Sequence, residues 1–179
     1  MMTTVMIDRS QFLRSREWAR VDSEAREIVL GAVTSRPVRV GQLARDLGLE
    51  VKSATLPSGI SGEIRKSSTA PSGYKIKVNR HEVKPRQRFT IAHEIGHYLL
   101  HRDEIGDGIS DTVLYRSSLS SSIEAEANRV AADILMPFSL VWRDWDQCAS
   151  HSDEDKISIL SEMYDVSEIA MRVRLGLER

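Results

Sequence analysis

The sequence predicts an α+β fold in which helices dominate a small sheet. Apolar residues recur at helical spacing over most of the chain, while strict two-residue alternation is confined to two short stretches between about residues 60 and 78. Segments rich in Gly, Ser and Pro separate the two patterns. The chain has 179 residues, 41% hydrophobic and 28% charged, a composition that argues against disorder and against a membrane-embedded protein. At about 150 residues per domain, one domain with a small appendage is expected. Lys and Arg number 25 against 26 Asp and Glu. That balance disfavours a strongly basic nucleic-acid binder or a polybasic membrane binder. A single cysteine, Cys148, excludes an internal disulfide and a Cys-rich zinc module. No apolar run resembles a signal peptide or reaches membrane-spanning length, so a cytoplasmic protein without a membrane partner is expected.

Taken in order, residues 1–14 read as a loose, flexible N-terminal arm. Trp18, Val21, Ala25, Ile28, Val29 and Ala32 keep the i, i+3, i+4 rhythm of one face, which predicts one helix. Residues 41–48 read as a short second helix closed by Gly48. Ile60, Gly62 and Ile64 share one side of a strand, and Tyr74, Ile76 and Val78 one side of another. The stretch 67–73 supplies the loop between them. From about Arg86 the helical pattern returns and runs through His101, and residues 102–120 read as a polar loop. The next helix runs from Ser121 to Met136, because Pro137 disfavours helical geometry in the residue before it. Trp142 and Trp145 are expected to pack a connecting segment onto the core. Two last helices open at Ser152-Asp153-Glu154-Asp155 and at Ser167-Glu168, acids that suit the positive end of a helix dipole. The chain thus divides into a domain at 1–145 and a helical segment at 146–179.

The informative residues are His93-Glu94-Ile95-Gly96-His97. On a helix, positions i and i+4 lie one turn apart on one face, so both imidazoles can reach one cation. Glu94, beside the first of them, can reach a water on that cation without being a ligand. This is the H-E-x-x-H arrangement of zinc hydrolases: two ligands and a general base. A catalytic zinc needs a third protein ligand. The metzincin continuation fails, since Leu100 stands where that pattern needs Gly. The alternative is a carboxylate on the helix that contains Glu124 and Glu126. Glu124, Ala127, Asn128 and Ala131 share a face whose small residues permit close approach of another helix, so Glu124 is the expected third ligand. Glu126 groups with Arg129 and Asp133 on what reads as the solvated side. Ser121-x-x-Glu124 also fits a capping box, a competing use of this Glu. Asn128, one turn on, is placed to orient a ligand. Gly96 costs about 1 kcal/mol relative to Ala inside a helix, which room for a neighbouring backbone would explain.

Arg88 to His101, Glu124-Ala125-Glu126-Ala127-Asn128 and Ala131 to Pro137 together closely resemble the ImmA/IrrE metallopeptidases. The resemblance covers about residues 40–140 and the tail from Val166 to Leu175, with Val130 departing from a usual Phe. It implies a zincin-like core and a gluzincin-like zinc endopeptidase that cleaves a helix-turn-helix transcriptional repressor and relieves repression in a stress or mobile-element response. By the same resemblance His93, His97 and Glu124 bind one zinc ion and Glu94 is the base. A transition-state donor is not fixed; His101, Tyr98 and Tyr115 are the candidates. Residues 159–175 themselves read as helix, turn, helix, which offers another class, a DNA-binding or repressor-sequestering regulator with a structural or vestigial zinc site. Arg172 and Arg174 could meet phosphate, but the surrounding acids weaken such attraction and DNA binding is not favoured.

Overall fold

The structure is a computed structural model that describes residues 11–106, 109–112 and 121–178. A short 3-10 helix, Arg16–Arg20, comes first, and α1 (Ser23–Ala32) follows after a break. The single helix expected here is therefore two pieces. Asp22 explains the break: its side chain accepts a hydrogen bond from the Ala25 N–H and caps α1, with its own backbone extended. The apolar rhythm survives the break, since Trp18, Val21, Ala25 and Val29 are all buried. The expected loose arm does not extend to residue 14. Phe12 and Leu13 are buried in the core, and the Phe138 N–H donates to the Phe12 carbonyl at 3.2 Å. The rest of that arm, residues 1–10, lies outside the described residues.

α2 (Val40–Asp46) ends at Gly48, whose φ of +78° closes the helix as the sequence suggested. Three strands then form, β1 (Glu50–Ala54), β2 (Ile60–Lys66) and β3 (Tyr74–Asn79), followed by α3 (Lys84–Leu100) with Pro85 in its first turn. A 3-10 turn, Arg102–Glu104, leads to β4 (Ile109–Thr112). The sheet order is β1-β3-β2-β4, with β1 parallel to β3 and β2 antiparallel to both of its neighbours. Two of these strands carry no alternation to read. β1 has Val51 as its one large apolar residue, and β4 occupies part of the expected polar loop at 102–120, where pairing with β2 supplies the order.

α4 (Ser121–Leu135) packs antiparallel on α3. The expected connecting segment around Trp142 and Trp145 is a helix, α5 (Phe138–Gln147); Trp145 packs on the core, but Trp142 remains 37% exposed. α6 (Asp153–Tyr164) and α7 (Glu168–Leu175) start at the two serines read from the sequence. Ser152 accepts from the Asp155 N–H and Ser167 from the Ala170 N–H. The pair is fastened to the core by polar contacts. Arg88 of α3 donates to the Asp165 and Tyr164 carbonyls, Tyr164 donates to Asp144 at 2.6 Å, and Arg174 donates to Asp133 at 2.8 Å.

Gly96 fixes how closely the two central helices approach. A Cβ there would stand 3.0 Å from the Ala127 carbonyl oxygen and 3.1 Å from its Cα. Ala127 and Ala131 are fully buried on the facing side. The glycine and the alanines thus bring α3 and α4 together along the face that carries the polar residues.

Candidate metal centre

His93, Glu94 and His97 project from the buried middle of α3, and Glu124 from the first turn of α4. The two imidazole Nε2 atoms stand 3.0 Å apart. Glu124 closes the triangle, with one oxygen 3.2 Å from His93 Nε2 and the other 3.3 Å from His97 Nε2. Both Glu124 oxygens therefore meet the histidines. Among the described residues, these three form a group whose ligand atoms all lie within 4.8 Å of one another and could hold a metal ion.

Hydrogen bonds behind the imidazoles decide what their Nε2 atoms offer. His93 Nδ1 stands 2.9 Å from Asn128 Oδ1, an amide oxygen that only accepts. Nδ1 therefore carries the proton and Nε2 the lone pair. His97 Nδ1 stands 3.2 Å from His101 Nδ1, and His101 Nε2 stands 3.0 Å from Glu126 Oε2. His101 and Arg20 hold the Glu126 carboxyl below its ordinary range, so it accepts from His101 Nε2. With the bond to Glu126 made at Nε2, His101 Nδ1 can accept from His97 Nδ1, which leaves His97 Nε2 able to offer a lone pair. Two imidazole Nε2 atoms and a carboxylate thus face one point. Burial pushes the His97 imidazole down, outweighing the adjacent Glu124. His93 and His97 in turn push the Glu124 carboxyl well below the usual range. Neutral imidazoles and an ionised carboxylate are the states a divalent cation requires. The residues present fit a zinc ion of the two-histidine, one-glutamate kind.

Glu94 is fully buried beside His93. β2 crosses α3 at this point because residue 62 is glycine. A Cβ on Gly62 would collide with Thr90 Cγ2 and stand 3.6 Å from Glu94 Oε1.

Three further residues were candidates for a transition-state donor. His101 is buried behind His97 with both ring nitrogens engaged. Tyr98 leaves the cluster; its ring packs on Tyr74 at 5.6 Å and under the Arg102 guanidinium at 4.0 Å. Tyr115 lies outside the described residues. Asn128 does hold His93, as its position one turn after Glu124 suggested.

The face of α4 that reads as solvated in the sequence is covered by the N-terminal segment. Asp133 is fully buried and accepts from the Ser15 N–H, Trp18 Nε1 and Arg174. Glu126 meets His101 and, at 2.6 Å, Arg20. The Glu126–His101 contact is the one that helical phase missed. Its available signal was the run His93, His97, His101: a third imidazole in phase needs an acceptor of its own.

The family model of Peptidase M78, described as the IrrE N-terminal-like domain, matches residues 44–176. Among curated proteins no match is found. A solved transcriptional regulator from Mycobacterium tuberculosis aligns with a TM-score of 0.57 at 19% identity, over 94% of this chain and 50% of that one. The chain thus shares that regulator's fold and spans half its length. No helix among the described residues is long and apolar enough to cross a membrane. With three quarters of its length under one family model, the chain belongs to the IrrE N-terminal-like family of peptidases.

Proposed function

We propose that the protein is a zinc-dependent endopeptidase whose substrate is a helix-turn-helix repressor, and that His93, His97 and Glu124 hold the zinc. The observation that carries this reading is the convergence of two imidazole Nε2 atoms and one carboxylate on a single point. When bound, zinc supplies Lewis acidity: it makes water acidic near neutral pH and polarises a peptide carbonyl. Glu94 is the general base. It takes a proton from the attacking water and returns it to the departing amine nitrogen. Asn128 and the Glu126–His101 pair keep the two imidazoles turned toward the ion. Among the described residues β4 pairs only with β2, and its other side would offer a substrate backbone a place to add as a strand.

The alternative of a DNA-binding tail has less support. Arg172 is paired with Glu154 and Arg174 with the buried Asp133, so neither is free to meet phosphate. A protein that only sequesters a repressor is separated from a peptidase by Glu94→Gln. This change keeps size and hydrogen bonding but removes the base. The variant should bind zinc like the wild type and lose turnover by about 10²–10⁴-fold on a repressor encoded nearby. Equal fragment yield from both proteins, in mass spectra with a chelator control, would reject Glu94 as the base. Relief of repression by both proteins with the repressor intact would favour sequestration.

A further inference from the structure

Two adjoining clefts run along α7, where it meets α3 and α4. Their volumes are about 630 Å³ and 330 Å³, and Phe89, Met136 and Ala170 line both. His93, Glu94, His97 and Glu124 line neither, so this surface is distinct from the candidate metal centre. Large apolar side chains stand open to solvent along it. Val83, just before α3, is 70% exposed, and Ile169 and Val173, one turn apart on α7, are 69% and 51% exposed. Another side of α7 meets the core through the buried Met171 and Leu175. The helix is thus apolar on two sides, and the fold covers only one of them.

Charge narrows the occupant. Every charged residue that lines the two clefts is an arginine: Arg14, Arg86, Arg129 and Arg174. The whole chain is balanced, 25 basic residues against 26 acidic ones, so the asymmetry is local. Asp133 neutralises Arg174. Arg129 gives Nε and one terminal nitrogen to Glu17, yet its side chain is exposed and its other terminal nitrogen still has donors to offer. Arg14 is exposed, lies 4.1 Å over the Phe138 ring and has no carboxylate partner among the described residues. Two guanidinium groups thus stand beside an apolar floor, able to take carboxylates. The backbone of the occupant is narrowed too. None of the lining residues belongs to a strand, so an extended chain would bring backbone donors and acceptors with nothing to pair them. A helix arrives with its own already satisfied.

We infer that this surface docks an acidic amphipathic helix of a partner protein, with its apolar side chains in the two clefts and its flanking carboxylates on Arg14 and Arg129. The clefts share three lining residues, so their occupants are close neighbours. Apolar residues three or four positions apart on a helix have Cβ atoms about 5–6 Å apart, a spacing that suits adjoining clefts. The surface holds a partner and takes no part in bond cleavage, so the inference stands apart from the peptidase reading above.

The probes are two hydrocarbon-stapled helical peptides of about 15 residues, with leucines along one face and either glutamates or lysines beside them. Fluorescence anisotropy measures their binding to the full-length protein. The glutamate peptide should bind on the order of tenfold more tightly than the lysine peptide, and a chelator should leave its affinity unchanged. Arg14→Glu should remove most of that preference. Ile169→Asp, at an exposed position in the first turn of α7, should weaken the glutamate peptide on the order of tenfold. Val173→Asp serves if circular dichroism shows the first variant unfolded. No binding of the glutamate peptide, equal binding of both peptides, or undiminished binding by a folded aspartate variant overturns the inference. Loss of binding on chelation overturns it too, since the peptide would then sit at the metal centre. So does self-association of the protein that competes with the peptide, because a second copy would then cover α7.

Discussion

Two acidic clusters among the described residues, around Asp144 and around Glu124, are built on opposite principles. Around Asp144, in α5, every neighbour is a donor: Arg36 from the segment after α1, Arg143 at 3.2 Å, and the Tyr164 hydroxyl at 2.6 Å. Burial pushes the Asp144 carboxyl up, but hydrogen bonds from Arg36 and Tyr164 outweigh it and hold the group below its ordinary range. Burial, and then the hydrogen bond to Asp144, push the Tyr164 hydroxyl far up. This cluster is satisfied by its own partners. Around Glu124 the neighbours aimed at the centre are two imidazole Nε2 atoms, each able to offer a lone pair to a cation. Burial alone does not distinguish a site from a buttress. The balance of donors and acceptors does.

If that contrast is sound, one change should remove the ion and leave the buttress standing. His97→Ala should lower zinc affinity by on the order of 10³-fold, because a ligand and half of the convergent lone pairs disappear. Plasma emission of purified protein should fall from about one zinc per chain to near none. The metal-free variant should melt close to the metal-free wild type. Wild type should gain stability on zinc addition by mass action, on the order of 4 kcal/mol at a thousandfold excess over Kd. A variant that keeps its zinc would move the ligand role elsewhere, with Glu126 and His101 the first to examine.

Asp144→Ala should do the reverse. It leaves Arg36 and Tyr164 without their acceptor, and breaking a buried pair typically costs about 3 kcal/mol or more. Zinc content should stay at one per chain. Because the folded carboxyl lies below its unfolded value of about 3.9, its contribution is complete above that pH and is lost as pH falls through the folded value. Urea midpoints of wild type and variant should therefore differ most near neutrality and converge as pH drops below about 4. A variant that also sheds zinc would show that the two clusters are one cooperative unit.

Between these extremes stands Glu126, which touches no metal ligand yet orients one through His101. Glu126→Ala should weaken zinc binding about 10–100-fold, the range for partners one bond removed from a ligand. Glu126→Gln should lose less, since its amide oxygen still accepts from His101 Nε2. Chelator competition measures both. If Ala and Gln lose equally, Glu126 acts through charge and not through the tautomer of His97.

The sequence discloses much of the Glu124 cluster and little of the Asp144 cluster, for a physical reason. His93, His97, Glu124 and Asn128 are related by helical period within two helices, so spacing alone puts them on facing surfaces. Gly96 and Ala127 add the close approach. Asp144, Arg36 and Tyr164 come from three elements with no shared period, and only the tertiary fold brings them together. The same limit hid the burial of Asp133: an acid in phase with Glu126 and Arg129 reads as solvated until Trp18 and Arg174 cover it. β1 and β4 escaped because their order comes from neighbouring strands and not from their own alternation. The serine caps of α6 and α7, by contrast, are local chemistry and were readable in full.

The smallest effect tests whether the tail is energetically separate from the metal centre. Ser167 caps α7 through the Ala170 N–H, a bond 3.2 Å long and exposed. Ser167→Ala should cost about 1 kcal/mol, read as a shift in urea midpoint with unchanged slope. α7 reaches the α4 helix through Arg174 and Asp133, and Asp133 makes no contact with His93, His97 or Glu124 among the bonds described. Loss of the cap should therefore leave zinc affinity unchanged within twofold. Combined with His97→Ala, its stability cost should add within about 0.5 kcal/mol, as for sites that share no partner. A larger departure would mean that fraying α7 loosens α4, tying the donor-rich side of the molecule to the acceptor-rich one.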